Sequence, residues 1–276
     1  MHIVCVGDCG VDRYVALGVE RPGGITFNVA ANARRSFPPD ARITIVTAIG
    51  IDPEAELVER AIARVDPDAC VTRLAGATPV QYIAIEPSGE KRFLKYDPGV
   101  LTELRIGPRE RKIIAGSDLL VTTVFAQVEG LFDSVMAAPS AGLRVVDFTD
   151  LSDGDGVGLV SRYADRFDVG FFGLRADQTS LIDALETIAV ARGRLFVVTL
   201  GPDGSLAVGG PRRVAARAVA VNRIADTTGA GDSFAAGFLA EYCASRDVRR
   251  SLERGAAEAA RTIQHLGATA NADRRD

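Results

Sequence analysis

The sequence contains few of the side chains on which many catalytic and metal sites depend. Its 276 residues include no tryptophan, two histidines, four cysteines and three lysines. The histidines, His2 and His265, stand near opposite ends of the chain, so histidine-dependent triads and histidine-rich metal clusters are excluded by counting. The cysteines form no C-x-x-C pair, which predicts buried free thiols rather than zinc ligands. A general base in this protein must therefore be a carboxylate.

Long apolar runs and an excess of positive charge are also absent. No stretch approaches 18 uninterrupted apolar residues, and the opening MHIVCVGDCGVD contains neither a basic nor an apolar leader pattern. With 36 acidic and 32 basic residues the formal net charge is −4, so no global field attracts nucleic acid or an anionic membrane. We expect a cytoplasmic protein whose partners are small molecules, not nucleic acid or a membrane.

The remaining composition is that of an ordinary globular protein, with 47% hydrophobic and 25% charged residues. Along the chain, β-rich runs such as His2–Gly7 and Arg42–Thr47 alternate with segments of helical spacing such as Pro53–Val65 and Gln178–Arg192. This alternation predicts an α/β fold, a doubly wound, mostly parallel sheet with helices on both faces. We expect one domain spanning 1–276.

One region interrupts the alternation. Three short strand patterns follow one another within 71–98, the first at Val71–Leu74, and another alternating run lies within 12–24. They predict a small antiparallel β lid, formed by about 12–24 and 71–98 and inserted in the α/β core. Because such a sheet leaves apolar side chains uncovered, a homodimer sealed through the lids is a further expectation.

The most informative segment reads DTTGAGDSFAAGF, residues 226–238. Gly229, Ala230 and Gly231 supply consecutive backbone N–H groups just before a segment with helical spacing, an arrangement that attracts an anion. Asp232 stands at the same helix start, where we expect a lowered pKa, so it is a candidate general base beside a phosphoryl site. The structural alternative, in which Asp232 caps the helix and the glycines form a tight turn, stays open.

This segment resembles the signature of the ribokinase-like (PfkB) carbohydrate kinases. A second family element, GGxxxNVA, stands at 23–30, and VTLGPDGS at 198–205 resembles the family's nucleotide-contacting segment. The resemblance covers nearly the whole chain, lid included. It implies a ribokinase-like fold and transfer of the γ-phosphoryl group of ATP, with Mg²⁺, to a primary hydroxyl of a sugar. The alternative is a non-catalytic sugar-binding protein on the same scaffold.

The same resemblance implies a role for individual residues. Asp232 is the implied catalytic base, and the amides of Gly229, Ala230 and Gly231 are the implied anion hole. The implied sugar contacts are Asp12, Gly24 and Asn28. The implied nucleotide contacts are Thr199, Gly201, Gly204 and Thr228. Asp226 and Thr228 are implied to help bind a monovalent cation, K⁺, and Asn28 has the alternative role of capping the following helix.

The sequence departs from the family after Phe167–Phe172. Many members carry N-x-x-E there, where it organises magnesium and its water, whereas this chain reads GLRA at 173–176. Asp147 and Asp150 then become candidates for positioning Mg²⁺ through water, and Arg175 a candidate for contacting phosphate. The alternative is that these side chains only satisfy loop backbone.

Finer resemblance concerns the acceptor. The stretches VGDCGVD at 6–12, YDPGV at 96–100 and VDFTD at 146–150 resemble the fructoselysine 6-kinase branch more than typical ribokinases or adenosine kinases. Because that substrate carries a charged amino-acid tail, Lys91 and Arg92 are expected to contact it, with a solvated strand face as the alternative. Ribose, fructose and nucleosides remain alternative acceptors.

Two other enzyme classes fail on spacing. GDSFA at 231–235 nearly matches the G-x-S-x-G hydrolase motif but has Ala235 in place of its last glycine, and Ser233 would need His265 as its base. GDCG at 7–10 lacks the G-x-G-x-x-G spacing of dinucleotide-binding enzymes, and the chain contains no Walker lysine motif.

Overall fold

The computed structural model describes residues 1–151 and 156–269. Within these ranges, the larger sheet has nine strands, which lie side by side in the order β13 (Val214–Ala216), β12 (Ser205–Val208), β11 (Leu195–Thr199), β10 (Val169–Gly173), β9 (Leu143–Asp150), β8 (Leu119–Thr123), β1 (His2–Val6), β4 (Arg42–Ile49) and β5 (Cys70–Arg73). From β11 to β5 all neighbours pair in parallel, whereas β12 and β13 are antiparallel. The predicted mostly parallel sheet is confirmed.

Helices cover both faces of this sheet, as predicted. One face carries α1 (Ile25–Ser36), α2 (Pro53–Val65), α7 (Ala230–Ser245) and α8 (Val248–Thr262). The other carries α3 (Pro108–Ala115), α4 (Glu129–Met136), α5 (Gly156–Tyr163) and α6 (Thr179–Arg192). Successive strand residues point to opposite faces, so Ile3 joins one hydrophobic cluster and Val4 the other. Among the described residues, no helix is long and apolar enough to span a bilayer.

The bounds predicted for α2 are confirmed, and the local sequence explains them. The side chain of Asp52 accepts a hydrogen bond from the Ala55 amide at 3.0 Å, which satisfies an N–H group that the first turn leaves unpaired. Pro53 occupies the first turn, where its missing N–H costs nothing. Such start signals are local, and the sequence alone therefore reveals them.

The predicted lid is a second sheet, in the order β3 (Val19–Gly23), β2 (Gly10–Tyr14), β6 (Val80–Ile85) and β7 (Lys91–Asp97). The outer pairs are antiparallel, but β2 pairs with β6 in parallel, because two hairpins from distant parts of the chain meet there.

The predicted lid range of about 71–98 begins too early. The first of its three strand patterns, Val71–Leu74, falls on β5, which pairs in parallel with β4 at the edge of the larger sheet. Cys70 at the start of β5 is buried in the core of that sheet, and this burial holds the strand there. The lid sheet resumes at Val80.

The strand order positions one crevice. The chain runs from β1 to β4 on one side and returns to β8 on the other side of β1. In open α/β sheets, ligands bind outside the carboxyl ends of the strands at such a reversal. The residues that follow β1, β9 and β11, together with the starts of α1 and α7, therefore form the place to look for a site.

Candidate active site

The turn before α7 requires glycine at its cap. Gly229 is buried and has a left-handed backbone with φ of 75°, and a Cβ there would lie 2.2 Å from the Cβ of Ala268. Of the three predicted anion-hole amides, that of Ala230 donates to the Thr227 carbonyl at 3.2 Å. The amides of Gly229 and Gly231 donate to nothing within residues 1–151 and 156–269, as expected of N–H groups at a helix start.

Asp232 lies in the first turn of α7, with 8% of its surface exposed. Its Oδ2 accepts a hydrogen bond of 2.8 Å from the side-chain amide of Asn28. Burial raises the pKa of Asp232 well above its usual range, and the charges of Asp147 and Asp8 raise it further, while Asn28 and Lys91 oppose the shift. The predicted lowered pKa is therefore wrong, because desolvation outweighs the helix dipole.

Asp12 and Asn28 border this carboxylate with unpaired oxygens. Both side chains are at least 96% buried, and Asp12 Oδ2 and Asn28 Oδ1 have no hydrogen-bond partner in the described structure. Burial raises the pKa of Asp12 well above its usual range, and the charge of Asp232 raises it further. Gly23 makes room for Asp12, since a Cβ at Gly23 would lie 2.2 Å from the Asp12 carboxyl carbon.

Asp8, which the sequence interpretation gave no role, fixes the start of α1. Its Oδ2 accepts from the Ile25 amide at 2.9 Å and its Oδ1 from the Thr26 amide at 3.1 Å. Gly24 caps the helix, and a Cβ there would lie 2.6 Å from the Asp8 carbonyl oxygen. Asp8 rather than Asn28 thus serves the helix start, and Asn28 is left to contact Asp232. An aspartate directly after a buried first strand was the available signal.

The lid contributes further polar side chains. The buried hydroxyl of Tyr96 has no partner among the described residues, and burial and the charges of Asp8 and Asp12 raise the pKa of this phenol. Lys91 lies near enough to Asp232 for its charge to lower the pKa of that carboxylate. Arg92 instead forms an exposed ion pair with Glu86 at 3.1 Å, as the solvated-face alternative describes.

The predicted nucleotide residues follow β11. Thr199 ends this strand and its hydroxyl donates to the Phe172 carbonyl at 3.3 Å, while Gly201 and Gly204 lie in the turn that follows. Arg175 follows the neighbouring strand β10, where its guanidinium pairs with Asp177 at 3.1 Å on the exposed surface. The geometry brings these residues to one edge of the sheet.

A cavity of about 330 Å³ was missed by the sequence interpretation. It lies between the loop 219–222 and α8, and its lining includes Val221, Asn222, Ala257, Arg261 and Gln264. The volume is within the range of small-molecule pockets, and the loop leads along the chain directly to the turn at Gly229. No local pattern in the sequence distinguishes this loop from any other.

Asp147 and Asp150 lie at the carboxyl end of β9. Asp147 Oδ1 accepts from the Thr149 amide at 2.7 Å, and burial raises its pKa to about 6, with a further contribution from Asp150. Gly173 stands where the family motif would begin, and a Cβ there would lie 2.1 Å from Asp150 Oδ1. No three acidic, cysteine or histidine side chains of the described ranges are close enough to cage a metal. Asp147 fits the one or two carboxylates that Mg²⁺ uses beside water and phosphate.

Asp226 is fully buried and already surrounded by donors. Its Oδ2 accepts from the Tyr14 hydroxyl at 2.6 Å and the Gly267 amide at 2.8 Å, and its Oδ1 from the Thr228 amide at 2.8 Å. These three hydrogen bonds use three of the about four acceptor positions of a carboxylate. The K⁺ role implied for Asp226 and Thr228 stays a prediction.

Comparisons with known proteins find similarity to carbohydrate kinases. The model of the pfkB family carbohydrate kinases matches residues 169–275. Fructosamine kinase FrlD of Bacillus subtilis is 29% identical over 97% of this chain and 93% of its own length. Fructoselysine 6-kinase of Escherichia coli is 28% identical over 96% of this chain and 98% of its own length.

Solved structures show the same fold at lower identity. The adenosine kinase of Sinorhizobium meliloti superposes with a TM-score of 0.80 at 21% identity, covering 98% of this chain and 96% of its own. The ribokinase of Thermotoga maritima has a TM-score of 0.74 at 20% identity, covering 97% and 94%. The chain therefore has the ribokinase-like fold, and residues 169–275, which include the turn around Asp232, match the pfkB carbohydrate kinases. The relatives at 28% and 29% identity extend this similarity to kinases over nearly the whole chain.

Proposed function

We propose that this kinase transfers the γ-phosphoryl group of ATP to the primary 6-hydroxyl of a fructosyl-amino acid such as fructoselysine. The observation that carries the proposal is the contact between Asn28 and Asp232, which joins a buried polar pocket to the carboxylate at the glycine turn. The names of the relatives at 28% and 29% identity support this acceptor class. Ribose, fructose or a nucleoside as acceptor, or sugar binding without catalysis, are the competing functions.

The pocket suits a sugar because its unpaired groups are those that a polyol satisfies. Asp12 Oδ2, Asn28 Oδ1 and the Tyr96 hydroxyl are buried without partners, and a buried polar group without a partner costs stability. Neighbouring sugar hydroxyls donate hydrogen bonds to Asp12 Oδ2 and Asn28 Oδ1 and form a third hydrogen bond with the Tyr96 hydroxyl. With the sugar held there, its terminal hydroxyl lies beside Asp232.

Asp232 is the proposed general base. Its carboxylate takes the proton of the hydroxyl as that oxygen attacks the γ-phosphorus atom and the bond to ADP breaks. The unpaired amides of Gly229 and Gly231 donate to the oxygens of the phosphoryl group in transit. A raised pKa suits this role, since a base whose pKa lies nearer the working pH takes a proton more readily.

The nucleotide is proposed to lie along the edge that runs from β11 to α7. Thr199, Gly201, Gly204, Thr228 and Arg175 are the proposed contacts to ATP phosphates and ribose. The cavity beside α8 is proposed to hold the base, because it offers apolar walls together with the polar ends of Asn222 and Gln264. Asp147 would hold Mg²⁺, which neutralises phosphate charge when bound.

An acceptor screen tests the proposal. ADP production is measured with fructoselysine, other fructosyl-amino acids, fructose, ribose and adenosine, each at equal concentration with ATP and Mg²⁺. We expect kcat/KM for fructosyl-amino acids to exceed that for the other acceptors by at least about tenfold, since a pocket built for paired polar contacts rejects analogues that lack them. A preference for ribose or adenosine contradicts the acceptor, and sugar binding without any ADP production contradicts the kinase.

We also propose that a second copy of the chain covers the lid. Large apolar side chains are exposed on β7 and just after β2: Phe93 at 53%, Leu94 at 44%, Val15 at 54% and Leu17 at 54%. Such clustered apolar surface is typical of a protein interface. Sedimentation velocity should give a dimer for the natural chain and a monomer for Phe93→Glu. Val190→Glu, on the distant helix α6 and 59% exposed, should remain dimeric, and a monomeric natural chain at about 10 µM contradicts the interface.

A further inference from the structure

The tip of the β6–β7 hairpin lies on the loop that leads into the glycine turn. The Thr227 amide donates to the Gly89 carbonyl at 3.1 Å, and the Lys91 amide donates to the Thr227 hydroxyl at 2.9 Å. That hydroxyl in turn donates to Glu90 Oε1 at 3.0 Å. Thr227 is two residues before Gly229, so these contacts fix the backbone of Lys91 beside the anion-binding turn.

The charge of Lys91 acts on the carboxylate at the anion-binding turn. It lowers the pKa of Asp232, against the effect of burial. Its ammonium lies 5.4 Å from the ring centroid of Phe93, and no carboxylate of the described residues lies within ion-pair distance of it. Lys95, on the same strand, is instead paired with Asp97 at 3.4 Å and lies over the ring of Tyr82. Lys91 thus has its backbone fixed beside the anion-binding turn and carries a charge with no ion-pair partner among the described residues.

This position does not suit the expected contact of Lys91 with the amino-acid tail of the acceptor. In a fructosyl-amino acid, the amino-acid tail is attached at C1, whereas the hydroxyl proposed to be phosphorylated is on C6, at the opposite end of the sugar. A cation beside Asp232 is at the C6 end. The sugar ring and several further bonds separate C6 from the carboxylate of the amino-acid tail. The anion within reach of Lys91 is therefore the phosphoryl group.

We infer that Lys91 is a catalytic residue, which the lid hairpin delivers through Thr227 to the γ-phosphoryl group of ATP. The inference rests on the proposed function for the site and gives one of its residues a different task. As the γ-phosphoryl group moves from ADP to the acceptor oxygen, the negative charge on its oxygens and on the departing ADP is stabilised by the Lys91 ammonium. The proton balance is unchanged, because Asp232 alone accepts the proton of the hydroxyl.

Three variants test the inference. Lys91→Met removes the charge and keeps the length of the side chain, Lys91→Arg keeps the charge, and Lys95→Met is the matched control on the same strand. With the accepted sugar, Lys91→Met should lower kcat by about 100-fold and leave the sugar KM within about twofold. Lys91→Arg should restore kcat to within about tenfold of the natural enzyme. Lys95→Met should keep both parameters.

A binding measurement tests the same contact without turnover. Calorimetry with AMP-PCP, a non-hydrolysable analogue of ATP, should show about tenfold weaker binding for Lys91→Met, whereas ADP should bind within about twofold of the natural protein, because only AMP-PCP has a γ-phosphoryl group. Equal weakening of both nucleotides, or a raised sugar KM with unchanged kcat, overturns the inference. If no acceptor is phosphorylated by the natural chain, the proposed function fails, but the comparison of AMP-PCP with ADP still decides the position of Lys91.

Discussion

Asp232→Asn should lower kcat at least about 100-fold while ATP affinity stays within about twofold, because the amide has the shape of the carboxylate but cannot accept the proton of the hydroxyl. The Asn28 side-chain amide, which donates to Asp232 Oδ2 at 2.8 Å, can donate to an amide oxygen in the same place. Steady-state kinetics gives kcat, and calorimetry on the same preparation gives the affinity for ATP. A kcat within about threefold of the natural enzyme would remove Asp232 from the mechanism.

The same substitution should make the protein more stable. The folded pKa of Asp232 is raised above its unfolded value, so the folded state favours the protonated form, and stability is lost as the pH rises through the folded pKa. At pH 8 an amide at this position avoids that cost, and Tm should rise by about 2 °C or more. The control Asp40→Asn, in the exposed connection between α1 and β4, should change neither Tm nor kcat. If Tm instead falls in Asp232→Asn, the stability prediction is wrong and any lost activity can result from misfolding.

The raised pKa also sets the pH dependence of the natural enzyme. Only the ionised form of Asp232 accepts a proton, so kcat/KM should fall as the pH drops, along a limb that lies above the pKa of an ordinary aspartate. In Asp232→Asn that acid limb should disappear from the residual activity. An unchanged limb in the variant would assign the titration to a different group.

Much of the fold was predictable because its determinants are local. Alternating strand and helix patterns, the Asp52 and Pro53 start signals of α2 and the glycine turn before Asp232 are all contained in short stretches of sequence. The lid was predictable for the same reason, as far as its hairpins extend. The pairing of β5 was not, since an edge strand of four residues has the same pattern whether it pairs with β4 or with β6.

The sequence predicts which residue types form the candidate site but not their electrostatics. Asp12, Asn28 and Asp232 come from distant parts of the chain, and their sequence gives no measure of how deeply they are buried together. That burial reverses the expected pKa shift of Asp232, and the tertiary packing leaves the start of α1 to Asp8 rather than to Asn28. These outcomes depend on which side chains share a desolvated volume, which is a property of the tertiary packing.

Gly229→Ala should lose both stability and activity, whereas Gly231→Ala should lose activity alone. Gly229 has a left-handed backbone conformation, which a residue with a Cβ adopts only with strain, and an added Cβ would lie 2.2 Å from the Cβ of Ala268. The turn must therefore move, at a cost of about 2–5 kcal/mol. Tm should fall by about 5 °C or more, and kcat by at least about 100-fold, because the displaced amides no longer point at the phosphoryl group. At Gly231 a Cβ meets no atom within 4 Å, so Tm should stay within about 2 °C while the methyl group obstructs the phosphoryl position. Calorimetric Tm and kcat measured on both variants separate the two effects, and a fully active Gly229→Ala enzyme would show that this turn does not form the anion hole.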